Sequence, residues 1–322
     1  MITAYIYNGK DLKVYEGAGD LSKEIIKRDR DKVWINITES DEQELNGVLK
    51  SLFNFHPLSI EDCSKEMQYP KIDDYGEYLF MVIHAPDLNH LETFETVEID
   101  IFLGSNYLVT YSRSPVKSID TIKERCIRNP GSLFKQGMDM MFYNLVDSTM
   151  DNYNYILDFL EKRIEKVEDD VVEGETSISL KDIILLRNDL KEVRRIQVPQ
   201  RELFNKLSHR KFNPIMDKTR IYMSDTYDAM YQINDTIDNL RDYIDSVRDI
   251  YMTVESNRMN QVMKALTAIA TIMMPFVVIS SIYGMNINLP LSKSPYSFLL
   301  IVAIMLVITA FLMLWFKRKN WF

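Results

Sequence analysis

The residues best suited to chemistry in this chain are amides and carboxylates, not nucleophiles. The stretch SSIYGMNINLP at 280–290 carries no charge, yet it places Gly284, Asn286, Asn288 and Pro290 between two long apolar runs. An Asn side chain offers a carbonyl oxygen without formal charge. Such oxygens suit a hard cation that sheds water reluctantly, such as Mg²⁺, because they can hold its first-shell waters without stripping them. Gly and Asn equally suit a plain helix cap and turn, so residue types alone leave both readings open. A second set is acidic: Asp228, Asp235, Asp242 and Asp249 recur every seven residues, and Asp238 and Asp245 share a second stripe. On one exposed helix these stripes would be a solvated face. In a symmetric bundle they would bring like charges together, and divalent cations would relieve the repulsion. The four histidines (56, 84, 90 and 209) and the two cysteines, Cys63 and Cys126, form no soft-metal cluster. No phosphate-binding Gly loop, no nucleophile with its base and no zinc spacing is found, which argues against an enzyme.

These residues need elements to hold them. From Ala265 to Ser292, and again from Ser294 to Phe316, the 322-residue chain carries no charged side chain. A transmembrane helix needs about 20 apolar residues to cross about 30 Å of hydrocarbon, so two C-terminal crossings are expected. Arg258 and Lys264 precede the first and Lys317, Arg318 and Lys319 follow the second, whereas the connecting loop offers Lys293 alone. The positive-inside rule then puts both ends in the cytoplasm and the loop outside, with Trp315 and Trp321 as interfacial anchors. The start, MITAYIYNGKDLKVYEG, does not read as a signal peptide. The cysteines show no redox pattern, which fits a reducing cytosol. With 47 Asp+Glu against 38 Lys+Arg, nucleic acid is disfavoured as a partner.

The first part of the chain reads as mixed α/β. Strands are expected at 2–8, 33–37, 78–85, 96–104 and 106–112, the last two joined by a hairpin at Gly104-Ser105. Helices are expected at 41–53, 57–66 and 115–128, followed by a break at Asn129-Pro130-Gly131. Thereafter the pattern is helical. Leu157, Leu160, Ile164, Val167 and Val171 alternate steps of three and four, as do Ile183, Leu186, Leu190 and Val193, with Phe204 and Leu207 in phase. Met230, Ile233, Ile237, Leu240, Ile244, Val247, Tyr251 and Val254 form a heptad seam. No Pro or Gly lies between Pro214 and Pro275, which predicts one helix over 215–283, roughly 100 Å long at 1.5 Å per residue. The expected organisation is an α/β domain over 1–131, an antiparallel helical hairpin over 132–213 and a stalk helix over 214–264. A first crossing over 265–285, an outer loop over 286–295, a second crossing over 296–316 and a basic tail over 317–322 complete it.

Two crossings cannot enclose a water-filled path. Any conduction therefore requires several copies around an axis, with one crossing from each lining the hole. The first crossing contains Thr267, Thr271, Ser280 and Ser281, with Asn260 just upstream, whereas the second is nearly all large and apolar. That asymmetry assigns the first to the pore and the second to lipid, although hydroxyls in membrane helices often bond back to their own backbone.

Tyr283-Gly284-Met285-Asn286, at the end of the first of two C-terminal crossings, resembles the signature of CorA-type magnesium transporters. The likeness extends over nearly the whole chain. SNRMNQVMKALTAIATIMMP (256–275), HPLSIEDC (56–63), QYPKIDDYGEYLF (68–80), YMSDTYDAM (222–230) and the basic tail resemble family motifs in the same order. The resemblance implies an α/β cytoplasmic domain, long coiled-coil-like stalk helices and two C-terminal transmembrane helices in a funnel-shaped homopentamer. It implies influx of hydrated Mg²⁺, with Co²⁺ or Ni²⁺ as further cargo, across the cytoplasmic membrane. Gly284, Met285 and Asn286 would form the selectivity filter, Asn260 a polar ring, and Met263, Leu266 and Met274 apolar constrictions. Cytosolic Mg²⁺ would close the pathway from sites between subunits, at Asp225, Asp228 and Asp87. Mg²⁺ is thus both cargo and regulator, and the expected partners are further copies of the chain, lipid and divalent cations.

Two features depart from the family pattern. Val277 stands where many relatives carry Thr, and Ile287-Asn288-Leu289-Pro290-Leu291 is neutral where many carry an acid. Two other readings fit part of the pattern: a Zn²⁺ or Co²⁺ transporter on the same scaffold, including an exporter, and a membrane-tethered coiled-coil sensor.

Overall fold

Alternating β-branched and aromatic residues near the start of the chain build a sheet that is covered on both faces. The computed structural model describes residues 1–17, 31–65, 68–89, 93–174, 179–285 and 296–319. Seven strands, β1 (Ile2–Tyr7), β2 (Leu12–Glu16), β3 (Lys32–Thr38), β4 (Lys71–Asp74), β5 (Tyr78–Pro86), β6 (Thr96–Gly104) and β7 (Tyr107–Ser112), lie in the order β2-β1-β3-β7-β6-β5-β4. Neighbours are antiparallel except β3 and β7, which run parallel with Val33 opposite Tyr107. The five expected strands are all present. The edge strands β2 and β4 were not expected: LKVYE and KIDD are mostly exposed or half-buried, and an edge needs no apolar alternation. The expected β6–β7 hairpin turns at Gly104, where any Cβ would collide with the Tyr107 ring.

One face of the sheet is closed by α1 (Glu42–Asn46), the π-helical turn Gly47–Leu52 that continues it, and α2 (Pro57–Ser64). Leu45, Leu49, Phe55 and Ile60 pack there on Ile35, Phe80, Phe102 and Val109. The π-turn replaces the single helix expected over 41–53. The His56 imidazole caps α2, its Nδ1 accepting from Leu58 N at 3.2 Å. Beyond β7 come α3 (Lys117–Arg128), α4 (Pro130–Phe134), α5 (Met138–Glu173) and α6 (Leu180–His209). His84, wholly buried on β5, ties the sheet to α5 and α6. Tyr153 Oη donates to its carbonyl at 3.1 Å, and its own N–H donates to Gln200 Oε1 at 2.8 Å. Its ring Nε2 lies 2.7 Å from the Gln68 carbonyl, and burial holds its pKa below the ordinary imidazole value. His84 is thus a structural histidine.

The last two helices are α7 (Asp217–Tyr283, 67 residues) and α8 (Ser297–Arg318). The expected uninterrupted helix is present, and it passes through Pro275 without ending. Its seam is buried as far as Val247, with Met230, Ile237, Ile244 and Val247 fully enclosed, whereas Tyr251 and Val254 are half-buried. The chain divides into two compact units, Met1–Asp169 with Thr176–Val247, and Asp170–Glu175 with Arg248–Phe322. The first holds the sheet, α1 to α6 almost entire, and the N-terminal part of α7. The second holds the rest of α7 and α8.

Candidate functional site

A carboxylate fixes where α7 starts. Asp139, in the first turn of α5 and almost wholly buried, accepts from Met216 N at 3.1 Å. A negative group placed there satisfies one of the helix's orphan donors and favours the positive end of its dipole. Gly137 allows the approach, since it has φ +113° and a Cβ would strike the Asp139 carboxylate. Two turns into α7, Tyr222 packs on Tyr143 of α5 with ring centroids 5.1 Å apart. One turn further along the same pair of faces lie Asp225 on α7 and Asp147 on α5.

Burial raises the Asp147 pKa above the ordinary carboxylate value, and the charges of Asp151 and Asp225 add to the shift, while Arg125 opposes it. Asp147 is therefore the acid of α5 that senses Asp225, and Asp151, one turn along α5, acts on Asp147 in the same sense. Asp228 lies one turn beyond Asp225 and is exposed. Asp87 sits past the end of β5, where Oδ1 accepts from Asn89 N at 2.9 Å. Sequence reasoning missed Asp147 and Asp151, because two acids four apart on a helix read as a solvated face. Carboxylate oxygens are the right donors for a hard cation. Among the described residues, however, no group of three or more His, Cys, Asp or Glu is placed to hold a metal ion, so a site at Asp225 needs water or a second copy to complete it.

The two acidic stripes of α7 separate. Asp238 and Asp245 are answered by arginines: Arg194 and Arg241 reach Asp238 Oδ1 at 2.9 and 3.2 Å, and Arg187 reaches Asp245 at 3.1 Å. That pairing removes the second stripe from the expected set of repelling charges. Asp228, Asp235 and Asp242 stay exposed, and Asp249 pairs with Arg248 at 3.0 Å.

In the second unit α7 and α8 both contain windows apolar enough to cross a membrane, with mean hydropathy 2.1 and 2.9. Only 6% and 0% of those windows are buried, so the two helices leave nearly all of their apolar surface uncovered. Ala268 on α7 and Met305 and Phe316 on α8 are the exceptions. Asn260, Met263, Thr267 and Met274 fall on one stripe of α7, with Leu266 at its margin. All but Thr267 were expected to line a pathway, and Met263, Leu266 and Met274 are exposed in the single chain. The two threonine hydroxyls behave as the simpler reading had it. Thr267 Oγ1 donates to the Met263 carbonyl and Thr271 Oγ1 to the Thr267 carbonyl, each at 2.8 Å.

Gly284 does not take the left-handed conformation that closes many helix C-termini. Its N–H continues the helix, bonding to the Ser280 carbonyl at 2.9 Å, and a Cβ would lie 3.1 Å from that oxygen. Met285 N then tightens the last turn by donating to the Ile282 carbonyl at 3.3 Å. Asn286 and the loop over 286–295 lie outside the described residues.

Residues 29–318 match the family model described as CorA-like Mg²⁺ transporter protein. The cobalt/magnesium transport protein CorA of Thermotoga maritima is 31% identical over 291 residues, covering 89% of this chain and 83% of that protein. The zinc transport protein ZntB of Pectobacterium carotovorum is 20% identical over 254 residues, covering 78% of this chain and 76% of that one. The complete structure of the CorA magnesium transporter from Methanocaldococcus jannaschii superposes with a TM-score of 0.85 at 23% identity, covering 100% of this chain and 99% of that one. At that identity the superposition speaks for the fold.

Proposed function

The chain belongs to the CorA-like Mg²⁺ transporter family, and from that premise we propose that it is a channel-like transporter for influx of hydrated Mg²⁺ across the cytoplasmic membrane. Divalent metal transport is the family's activity, and the family is one of transporters rather than enzymes. The finer reading rests chiefly on the uncovered crossing of α7, whose window is only 6% buried in one chain. Surface so apolar needs lipid on one side. The stripe through Asn260, Met263 and Met274 is assigned to a central path shared by several copies, most simply a homopentamer.

In this reading Asn286, with Gly284 and Met285, forms a ring of neutral oxygens at the outer mouth. Those oxygens bind the waters of the ion, so a strongly hydrated cation passes with its shell kept. Met263, Leu266 and Met274 form dry constrictions that close when they approach each other. Thr267 and Thr271 spend their protons on their own helix, which keeps that wall poor in donors. Cytosolic Mg²⁺ at Asp225, with Asp147 and Asp151 alongside and Asp228 and Asp87 of the expected set from the same or a neighbouring copy, offsets carboxylate repulsion and holds the closed arrangement. Co²⁺ and Ni²⁺, also hydrated divalent ions, fit the same filter. The likeness to a zinc transport protein keeps Zn²⁺ as the second reading for the cargo.

The test is Mg²⁺ uptake into proteoliposomes holding a Mg²⁺-sensitive dye, native chain against Asn286→Ala. Uptake by the native chain and its loss in Asn286→Ala, at unchanged oligomer size, is the expected result. A native chain silent with Mg²⁺, Co²⁺ and Zn²⁺ dyes alike would leave a membrane-tethered sensor instead.

A further inference from the structure

Arg187, Lys191, Arg194 and Arg195 of α6 and Arg241 of α7 line one groove of about 690 Å³. The α6 positions fall on successive turns of a single face. Three acids answer these five cations. Arg187 pairs with Asp245, Arg194 and Arg241 share one oxygen of Asp238, and Arg195 pairs with Glu192 at 2.7 Å. Lys191 is exposed and has no acidic partner among the described residues. The groove thus keeps two positive charges in excess, on a chain whose net charge is −9.

Holding α6 against α7 does not explain that excess. Pairs between half-exposed side chains contribute little, and crowding cations costs free energy. The buried seam of Ile183, Leu186, Leu190 and Val193 already gives α6 a continuous packed face. A guanidinium carries five N–H donors in a fixed fork, so one shared carboxylate oxygen leaves donors of Arg194 and Arg241 available. Val198 and Pro199 close the groove with an apolar wall. Pro199, inside α6, has no N–H to give to the Arg195 carbonyl.

We propose that this groove binds a polyphosphate anion, with nucleoside triphosphates as the ligand class that fits it. Its volume lies within the range of about 300–1,000 Å³ usual for small-molecule sites. Guanidinium forks match phosphate oxygens in pairs, and the lysine supplies a further point charge. The apolar wall receives the base. A bound anion ties α7 to α6 through Arg241, on the helix that also carries Asp225. This binding site stands independently of the transport reading.

The test titrates the full-length protein in detergent with ATP and, separately, with inorganic tripolyphosphate. The buffer is metal-free, so that chelation of a bound cation cannot imitate binding. Calorimetry and thermal unfolding are the readouts, since a ligand of the folded state raises Tm. The expected result is binding of both anions that weakens as salt rises, with ATP the tighter. Lys191→Glu and Arg195→Glu each weaken it by about tenfold or more, while Lys206→Glu, on α6 but outside the groove, leaves it unchanged. No binding of either anion at millimolar concentration would overturn the proposal, as would native-like binding in both groove variants. Should Lys191→Glu break up the oligomer while the native protein binds no anion, the groove is a contact between copies instead.

Discussion

Asp225 earns its place through its neighbours. A lone exposed aspartate binds a divalent cation weakly, but Asp147, whose pKa is raised first by burial and then by the charges of Asp151 and Asp225, lies beside it. Asp225→Ala is expected to leave the fold intact and to shift inhibition by cytosolic Mg²⁺ to roughly tenfold higher concentration, about 1.4 kcal/mol of lost interaction. Inhibition curves in inside-out patches measure it, and an unchanged curve would remove the site. Asp147→Asn should shift the curve the same way. The pH dependence follows from the sign of the shift. A carboxyl whose pKa is raised in the folded protein costs stability while ionised, and that cost vanishes as pH falls through the raised value. Above it Mg²⁺ offsets the cost; below it a proton does. Acidification from neutral pH should therefore demand more Mg²⁺ for closure before ordinary carboxylates titrate, and Asp147→Asn should flatten that dependence. Asp225 enters the proposed site through the YMSDTYDAM resemblance. Asp147 enters it only through the packing of α5 beside α7, which no periodicity announces.

The elements were legible in proportion to how much apolar surface they bury. The seam of α7 stands out because every third or fourth residue from Met230 to Val247 is enclosed. Ile244→Ala removes a fully buried side chain from it and is expected to cost about 2–5 kcal/mol, read as a lowered unfolding midpoint in urea. Removing the exposed Asp242 carboxylate with Asp242→Asn should change that midpoint little. The short edge strands escaped notice because they bury little, and the π-turn after Asn46 did because its sequence differs in nothing from an ordinary helix. Charge was less legible than hydrophobicity. The two acidic stripes look alike in the sequence, yet Asp238 and Asp245 of one stripe meet Arg194 and Arg187 of α6, whereas Asp228, Asp235 and Asp242 of the other stay exposed.

At the scale of the whole molecule, a chain with two crossings that scarcely cover each other is unfinished as a conductor. The expected state in mild detergent is a homopentamer, measured as mass by light scattering with the detergent subtracted. A monomer that still conducts would overturn the shared path. The sheet, finally, bears on how the protein is made. Its central parallel pair, β3 with β7, is complete at Ser112, and the first unit is complete at Val247. At about 5–20 residues per second a ribosome needs roughly 12–50 s to deliver that much chain, ample time for such a unit to form. The greasy segments are synthesised afterwards. By the time a membrane insertion machinery meets them, the sheet stands as a folded body on the ribosome's side, too bulky to be threaded across. In the proposed orientation, synthesis order works in the same direction as the basic flanks, and it keeps the acids proposed to sense Mg²⁺ on the cytosolic side.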